Sequence, residues 1–377
     1  MRIAIGAGIG LTELLADEVA AVVGRRPELE EQRVVVDGSL LELYQLGLAA
    51  GLGLTLEVRL AHFRAVRFPQ LVRAVREVDW SPWLVDGGRV EVRATARRSR
   101  LYHSGAIVER VLRGVGEAVG EEVSPAEGPA DLTVHADFVH DRCTLSVDAA
   151  GGVLSRRGYR AATGKAPLRE DLARALVLFA APSGAIVDPF CGSGTIPIEA
   201  ALLRSGRPPN LTRTFAFERF PNFDADEYRR LREALGSREP PAAPTIFASD
   251  RDAGAIEATR NNADRAGVTG WLSVECAPLG RAASLTRPEF SVVTNPPHGH
   301  RVGNKASLRR LYASFGDRLR SRGPDLLGAT LLLRDRRLAK ATGLHFGREL
   351  ATNQGGTNVH FLHAESGTIG EDYAVAW

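Results

Sequence analysis

Ile186-Val187-Asp188-Pro189-Phe190-Cys191-Gly192-Ser193-Gly194-Thr195 starts as a short apolar run, meets an acidic residue, and turns through two glycines. The run reads as a buried strand, and the spacing predicts a helix over 195–205 directly after the turn. Gly192 and Gly194 allow the backbone to come close to a ligand, and the helix start offers N–H groups with no intrahelical partner. No Gly-Lys-Ser/Thr follows and there is no third glycine, so neither a P-loop nor a dinucleotide fingerprint is present. An acidic residue leading into a Gly-x-Gly turn suits a ligand that carries an amine and a carboxylate.

Outward from this stretch, strand and helix patterns alternate. Strands are predicted at 184–189, 245–250, 271–276, 290–295, 328–334 and 358–363, and helices at 195–205, 252–266, 306–321 and 335–341. Such alternation gives an α/β fold with a largely parallel sheet covered on both faces. Ligands on these sheets bind at the carboxyl ends of strands. Residues 207–244 interrupt the pattern, and Phe215, Phe217 and Phe220 within them read as packing. The second strand ends in Ser249-Asp250-Arg251-Asp252, where a carboxylate suits ribose hydroxyls. Asn261-Asn262 read as surface or capping residues.

The fourth strand, Ser291-Val292-Val293-Thr294, runs into Asn295-Pro296-Pro297-His298. Two prolines fix the backbone and remove two donors. The Asn295 side chain and the proline carbonyls are then acceptors held at the strand end, with the His298 ring beside them. That arrangement suits gripping the NH2 of a planar base while the ring stacks on it. A glycine turn, a ribose carboxylate and an acceptor clamp on successive strand ends together describe methyl transfer from S-adenosylmethionine to an exocyclic amine. The reaction is dominated by positioning and needs no metal. A base inside a duplex must be flipped out to reach such a pocket.

The 377 residues allow two or three domains, and a 44% hydrophobic content allows a core in each. No window has the length of a membrane span, and the N-terminus lacks a secretory layout. Cys143, Cys191 and Cys276 are scattered and odd in number, which argues against a disulfide framework or zinc site and for a reducing, cytoplasmic setting. The net charge of +3 is weak support for a nucleic-acid partner, and the cations are nearly all arginine.

Residues 1–50 read as strand, helix, strand and a further helix opened by Ser39 with Glu42, a capping-box pattern. Residues 53–150 read as strand, helix, strand, helix and hairpin. At the junction before the helix at Ser104, Arg97, Arg98, Arg100, Tyr102 and His103 mix guanidinium groups with rings, a phosphate-and-base surface in small RNA modules. Arg156, Arg157 and Lys165 fall in a basic, glycine-rich linker before a helix at about 168–180.

Asp188 to Thr195 followed by Glu199-Ala200, and Asn295-Pro296-Pro297 with a ring at 298, resemble the class I RNA guanine-N2 methyltransferases. Arg156-Arg157-Gly158-Tyr159-Arg160, Lys165-Ala166-Pro167-Leu168, Phe215-Ala216-Phe217-Glu218, Asp79-Trp80 and the Val90 to Val111 strand–helix are similar to its THUMP-containing branch. The resemblance implies a ferredoxin-like domain over 1–52, a THUMP domain over 53–150, a linker and first helix over 151–183, and a Rossmann-like methyltransferase domain with a mostly parallel seven-stranded sheet over 184–377. It implies S-adenosylmethionine as cofactor, held by Asp188, Pro189, Cys191, Gly192, Gly194, Thr195, Asp250, Arg251, Glu275, Cys276 and Asn295. Asn295, Pro296, Pro297 and His298 would hold the target base. The RNA would meet Arg97, Arg98, Arg100, Tyr102, His103, Arg156, Arg157, Lys165 and Arg301. Its expected partner is tRNA, with ribosomal RNA as the alternative; no metal and no membrane are expected. Two positions depart from the family pattern. His298 stands where Tyr or Phe is usual, and Glu275-Cys276-Ala277 where many relatives place an aspartate. The same clamp serves adenine in DNA or glutamine in protein, and a non-catalytic RNA-binding relative is a third reading.

Overall fold

Two seven-stranded sheets, one antiparallel in the main and one parallel in the main, stand in sequence along the chain. The structure is a computed structural model that describes residues 1–121, 123, 128–160, 168–236, 239, 241–298 and 305–365.

The first sheet contains β1 (Arg2–Ala7), β2 (Glu28–Glu30), β3 (Arg33–Asp37), β4 (Gly53–Arg64), β5 (Val90–Arg97), β6 (Leu132–Val139) and β7 (Arg142–Asp148), in the order β2-β3-β1-β4-β7-β6-β5. Helices α1 (Thr12–Val23), α2 (Leu40–Ala49), α3 (Phe68–Arg76) and α4 (Ser104–Val119) connect them. The predicted capping box forms at α2. Ser39 Oγ accepts from the Glu42 N–H at 3.2 Å, and Glu42 Oε2 accepts from the Ser39 N–H at 2.8 Å. Strand β4 pairs with β1 on one side and β7 on the other, so the two N-terminal units share one sheet. β5 and β6 are parallel, with α4 as the crossover between them.

The second sheet follows α5 (Glu170–Ala180). It contains β8 (Ala185–Asp188), β9 (Ile246–Asp250), β10 (Leu272–Cys276), β11 (Phe290–Thr294), β12 (Leu326–Leu333), β13 (Arg348–Gln354) and β14 (Thr357–Glu365). Its helices are α6 (Thr195–Ser205), α7 (Ala225–Gly236), α8 (Ala253–Ala266), α9 (Lys305–Arg320) and α10 (Arg337–Ala341). The order is β10-β9-β8-β11-β12-β14-β13, parallel through β12, with β14 and β13 antiparallel. The expected seven-stranded, mostly parallel sheet is present. From β8 the chain moves outward to β9 and β10, then returns to the other side of β8 at β11. The switch point of the sheet therefore lies between the carboxyl ends of β8 and β11, where ligands bind in such folds.

A buried polar network joins the two halves. The Arg157 side chain is fully buried. It donates to Glu199 Oε1 and Oε2 at 3.0 and 3.3 Å, to Asn210 Oδ1 at 3.2 Å, and to the Gly51 carbonyl at 2.6 Å. Tyr159 donates its hydroxyl to Glu199 at 3.2 Å, and Arg174 on α5 pairs with Glu18 on α1 at 2.5 Å. Asn210 donates to the Gly47 carbonyl at 2.9 Å. This overturns the expectation that Arg157 meets RNA. Its charge is held by Glu199, and no part of the guanidinium faces solvent. The phenylalanines of the 207–244 insert pack as expected. Phe215 and Phe217 stack at 4.7 Å, and Tyr44 of α2 lies 5.1 Å from Phe217.

Candidate active site

Asp188 closes β8 and is buried. Its Oδ1 accepts from the Phe190 N–H at 3.1 Å and from the Thr294 hydroxyl at 2.6 Å. Burial pushes its carboxyl up to about 7. The glycine turn after it is held from three directions. Asp250, ending β9, accepts from the Gly192 N–H at 3.0 Å. On α8, Thr259 donates its hydroxyl to the Gly192 carbonyl at 2.8 Å, and Asn262 donates its amide to the Ser193 carbonyl at 3.0 Å. Asn262 is thus not a surface or capping residue. It is buried, one helical turn from Thr259, on the face of α8 that grips the turn.

Gly194 has φ +84°, and a Cβ there would lie 2.6 Å from Thr259 Cγ2. Gly192 has φ +54°, but a Cβ there would meet no atom within 4 Å. The turn is closed on the Gly194 side and open on the Gly192 side, which is the shape of a cradle. Cys191 is buried, and burial raises its thiol well above the usual range, so it stays protonated and serves as packing. Pro189 is also buried. Thr195, the first residue of α6, accepts at its hydroxyl from Arg160 at 3.0 Å.

Thr294 couples this turn to the clamp, because it precedes Asn295 and its hydroxyl reaches Asp188. Asn295, Pro296, Pro297 and His298 leave the sheet beside the switch point, with Pro296 buried and the other three half-buried. The Pro297 carbonyl accepts from the buried Tyr312 hydroxyl of α9 at 3.2 Å. Burial raises the Tyr312 pKa, which keeps it a donor. One turn on, Phe315 meets Phe190 edge-on at 5.3 Å. α9 therefore holds both the diproline corner and the loop after β8. Two of the acceptors expected at this strand end are already engaged. The Pro297 carbonyl is committed to Tyr312, and Asn295 Oδ1 lies 2.7 Å from His298 Nε2.

At the third strand end, Cys276 stands in register with Asp250 and is exposed. Glu275 points elsewhere, its Oε2 accepting from the Ala283 N–H at 3.2 Å. Arg251 is exposed. The proposed RNA contacts are separate from these residues. Arg97, the last residue of β5, and Arg98, Arg100, Tyr102 and His103, which lead from it into α4, are exposed. Their loop is pinned to the β6–β7 turn by the Arg100 N–H donating to Asp141 at 2.7 Å, and the Tyr102 and His103 rings lie 4.1 Å apart. Arg156 is exposed. Lys165 and Arg301 lie outside the described residues. Thr259, Asn262, Thr294 and Tyr312 are parts of the site that sequence reasoning missed. Only the i, i+3 spacing of Thr259 and Asn262 gave a signal. Among the described residues no group of three or more His, Cys, Asp or Glu could hold a metal, and no helix is long and apolar enough to cross a membrane.

Comparison with known proteins gives the same architecture. Residues 157–354 match the RMKL-like methyltransferase domain, and residues 65–148 match the THUMP domain. Ribosomal RNA large subunit methyltransferase K/L of Syntrophotalea carbinolica is 36% identical over 330 residues, covering 83% of this chain and 46% of that protein. The chain thus spans about half the length of the K/L relatives it matches. The Synechocystis protein slr0064, provisionally named an RNA methyltransferase, is 30% identical over 368 residues, covering 94% of this chain and 92% of that protein. Among solved structures, SMU.472, a provisionally named methyltransferase complexed with SAH, superposes with TM-score 0.86 at 22% identity over 97% of this chain and 98% of that one. TrmN from Thermus thermophilus superposes with TM-score 0.72 at 25% identity over 97% and 99%. The chain therefore belongs to the RMKL-like methyltransferase-domain family and carries a THUMP domain ahead of its class I methyltransferase fold.

Proposed function

We propose that this protein is an S-adenosylmethionine-dependent RNA methyltransferase that modifies the exocyclic N2 amine of a guanine in large-subunit ribosomal RNA. The observation that carries the reading is the Thr294–Asp188 hydrogen bond of 2.6 Å, which joins the Asn295-Pro296-Pro297-His298 clamp to the glycine cradle at one switch point. The residues present fit the cofactor. The open space over Gly192 admits a ligand, and Asp188 and Asp250 offer carboxylates for an amine and ribose hydroxyls. When bound, S-adenosylmethionine supplies a methyl group activated by its sulfonium.

The chain's own work is positioning. Asn295 Oδ1 and the Pro296 carbonyl accept from the target amine, favouring a more tetrahedral nitrogen in the transition state. His298 leaves Asn295 Oδ1 and stacks on the base. Tyr312 fixes the Pro297 carbonyl so that the corner does not move as the base enters. Residues 53–150 supply the RNA contacts, with the arginine loop at 97–103 as the anchor. The K/L relatives support ribosomal RNA over tRNA, the partner favoured by sequence reasoning alone. The test is nucleoside mass spectrometry after incubating the protein and cofactor with undermodified ribosomal RNA or tRNA. N2-methylguanosine in large-subunit RNA supports the reading. N6-methyladenosine as the product, or methylation confined to tRNA, overturns it.

A further inference from the structure

We propose that Arg160 anchors the carboxylate of the cofactor's amino-acid end, an assignment that rests on the methyltransferase reading above. Only 9% of the Arg160 side chain is exposed. Its Nη2 donates to the Thr195 hydroxyl at 3.0 Å and to the Leu168 carbonyl at 2.7 Å, and lies 3.4 Å from Glu170 Oε1. Its Nε is buried with no hydrogen-bond partner. Arg157, three residues earlier, shows what an arginine placed for the fold alone looks like here. That guanidinium has a two-point carboxylate, an amide oxygen and a carbonyl around it. Arg160 is satisfied at Nη2 but not at Nε, and an unpartnered buried donor on a cation is costly unless something fills it. Burial raises the pKa of its acidic neighbour Glu170, against the lowering effect of Arg160.

Position supplies the rest. Thr195 is the first residue of the 11-residue α6, and its N-cap Gly194 makes no side-chain cap. The positive end of the helix and the guanidinium thus meet at one point, directly after the cradle whose Gly192 side is open. Before the cradle stands Asp188. The two sides of the turn therefore differ in chemistry, a carboxyl group before it and a guanidinium after it. An amino acid's ammonium and carboxylate need that pair. Arginine also suits a carboxylate through parallel donors.

The test uses calorimetry with the full chain, S-adenosylmethionine and its decarboxylated analogue. Wild type should bind the carboxylated form at least about tenfold tighter, the worth of a charge-assisted contact. Arg160→Met should bind the two within about twofold of each other, while keeping wild-type affinity for the decarboxylated analogue. Arg160→Gln, which retains a donor for Thr195 but no charge, should behave the same way and carries the test if the Met variant fails to fold. A variant that still prefers the carboxylated form as wild type does overturns the proposal. So does an equal loss for both ligands, which marks Arg160 as a pin for α6. Wild type that binds neither adenosyl ligand refutes the methyltransferase reading instead.

Discussion

Replacing Arg157 by Met should unfold the junction between the two halves more readily than almost any other single change. The perturbation removes a fully buried cation and leaves Glu199, equally buried, with Tyr159 at 3.2 Å and Arg174 at 3.8 Å as its remaining partners. It also strips donors from Asn210 and from the Gly51 carbonyl. Burial by itself lowers the Arg157 pKa, but the Glu199 charge and hydrogen bond outweigh it, and the net direction is up. Breaking a buried pair from one side costs about 3–5 kcal/mol, because the surviving charge stays in the interior, here with only the more distant Arg174 opposite it. Replacing both partners, as Arg157→Met with Glu199→Met, should recover much of that loss, since the surviving charge goes too. Urea unfolding of the four proteins of this cycle measures the coupling. A single variant that loses under about 1 kcal/mol, or a double variant worse than the sum of the singles, would refute the network as the joint.

Four further outcomes follow from the site. Gly194→Ala combines a φ of +84° with a 2.6 Å contact to Thr259, and should destabilise by about 2 kcal/mol or more in thermal melts. Gly192→Ala, strained only at φ +54° with open space around its Cβ, should cost about 1 kcal/mol of stability, yet weaken cofactor binding in calorimetry because the methyl enters the cradle. Asn262→Ala leaves the Ser193 carbonyl without its amide donor and should cost about 1–3 kcal/mol in denaturant titration, with Asn262→Asp no better, since a carboxylate cannot donate. Burial raises the Asp188 pKa to about 7, so the folded state holds that proton more tightly than the unfolded one. The stability this lends is full below about pH 4 and is lost as pH rises through about 7. Melting temperatures of wild type should therefore fall relative to Asp188→Asn across that window, and parallel curves would count against the buried carboxyl.

Much of this architecture is legible in the chain because local and global signals agree. The β-branched runs at Ile186–Val187 and Val292–Val293 can only be buried strands. Ser39 and Glu42 announce α2 at the spacing where both hydrogen bonds form. The helix at Thr195–Ser205 begins where the glycines end. What escaped reading depends on partners distant in sequence. β13, with the sequence Arg348-Glu-Leu-Ala-Thr-Asn-Gln, is polar and, among the described residues, pairs only with β14 at the sheet edge, so no apolar alternation marks it. Arg157 has the composition of an RNA contact, and its partners Glu199 and Asn210 lie 42 and 53 residues away. Tyr312 is 15 residues past the proline whose carbonyl it holds. Sequence shows that Asn295 and His298 are close along the chain. It does not show that the ring occupies the amide oxygen.

In the proposed reaction Asn295 Oδ1, tied through Thr294 to the glycine cradle, accepts from the target amine in the transition state. The most direct measurement pairs methyl incorporation into ribosomal RNA with calorimetric cofactor affinity in wild type and Asn295→Ala. Incorporation should fall by about 10²–10³-fold while cofactor affinity stays within about twofold. Incorporation near the wild-type rate in Asn295→Ala, with cofactor still bound, would contradict it.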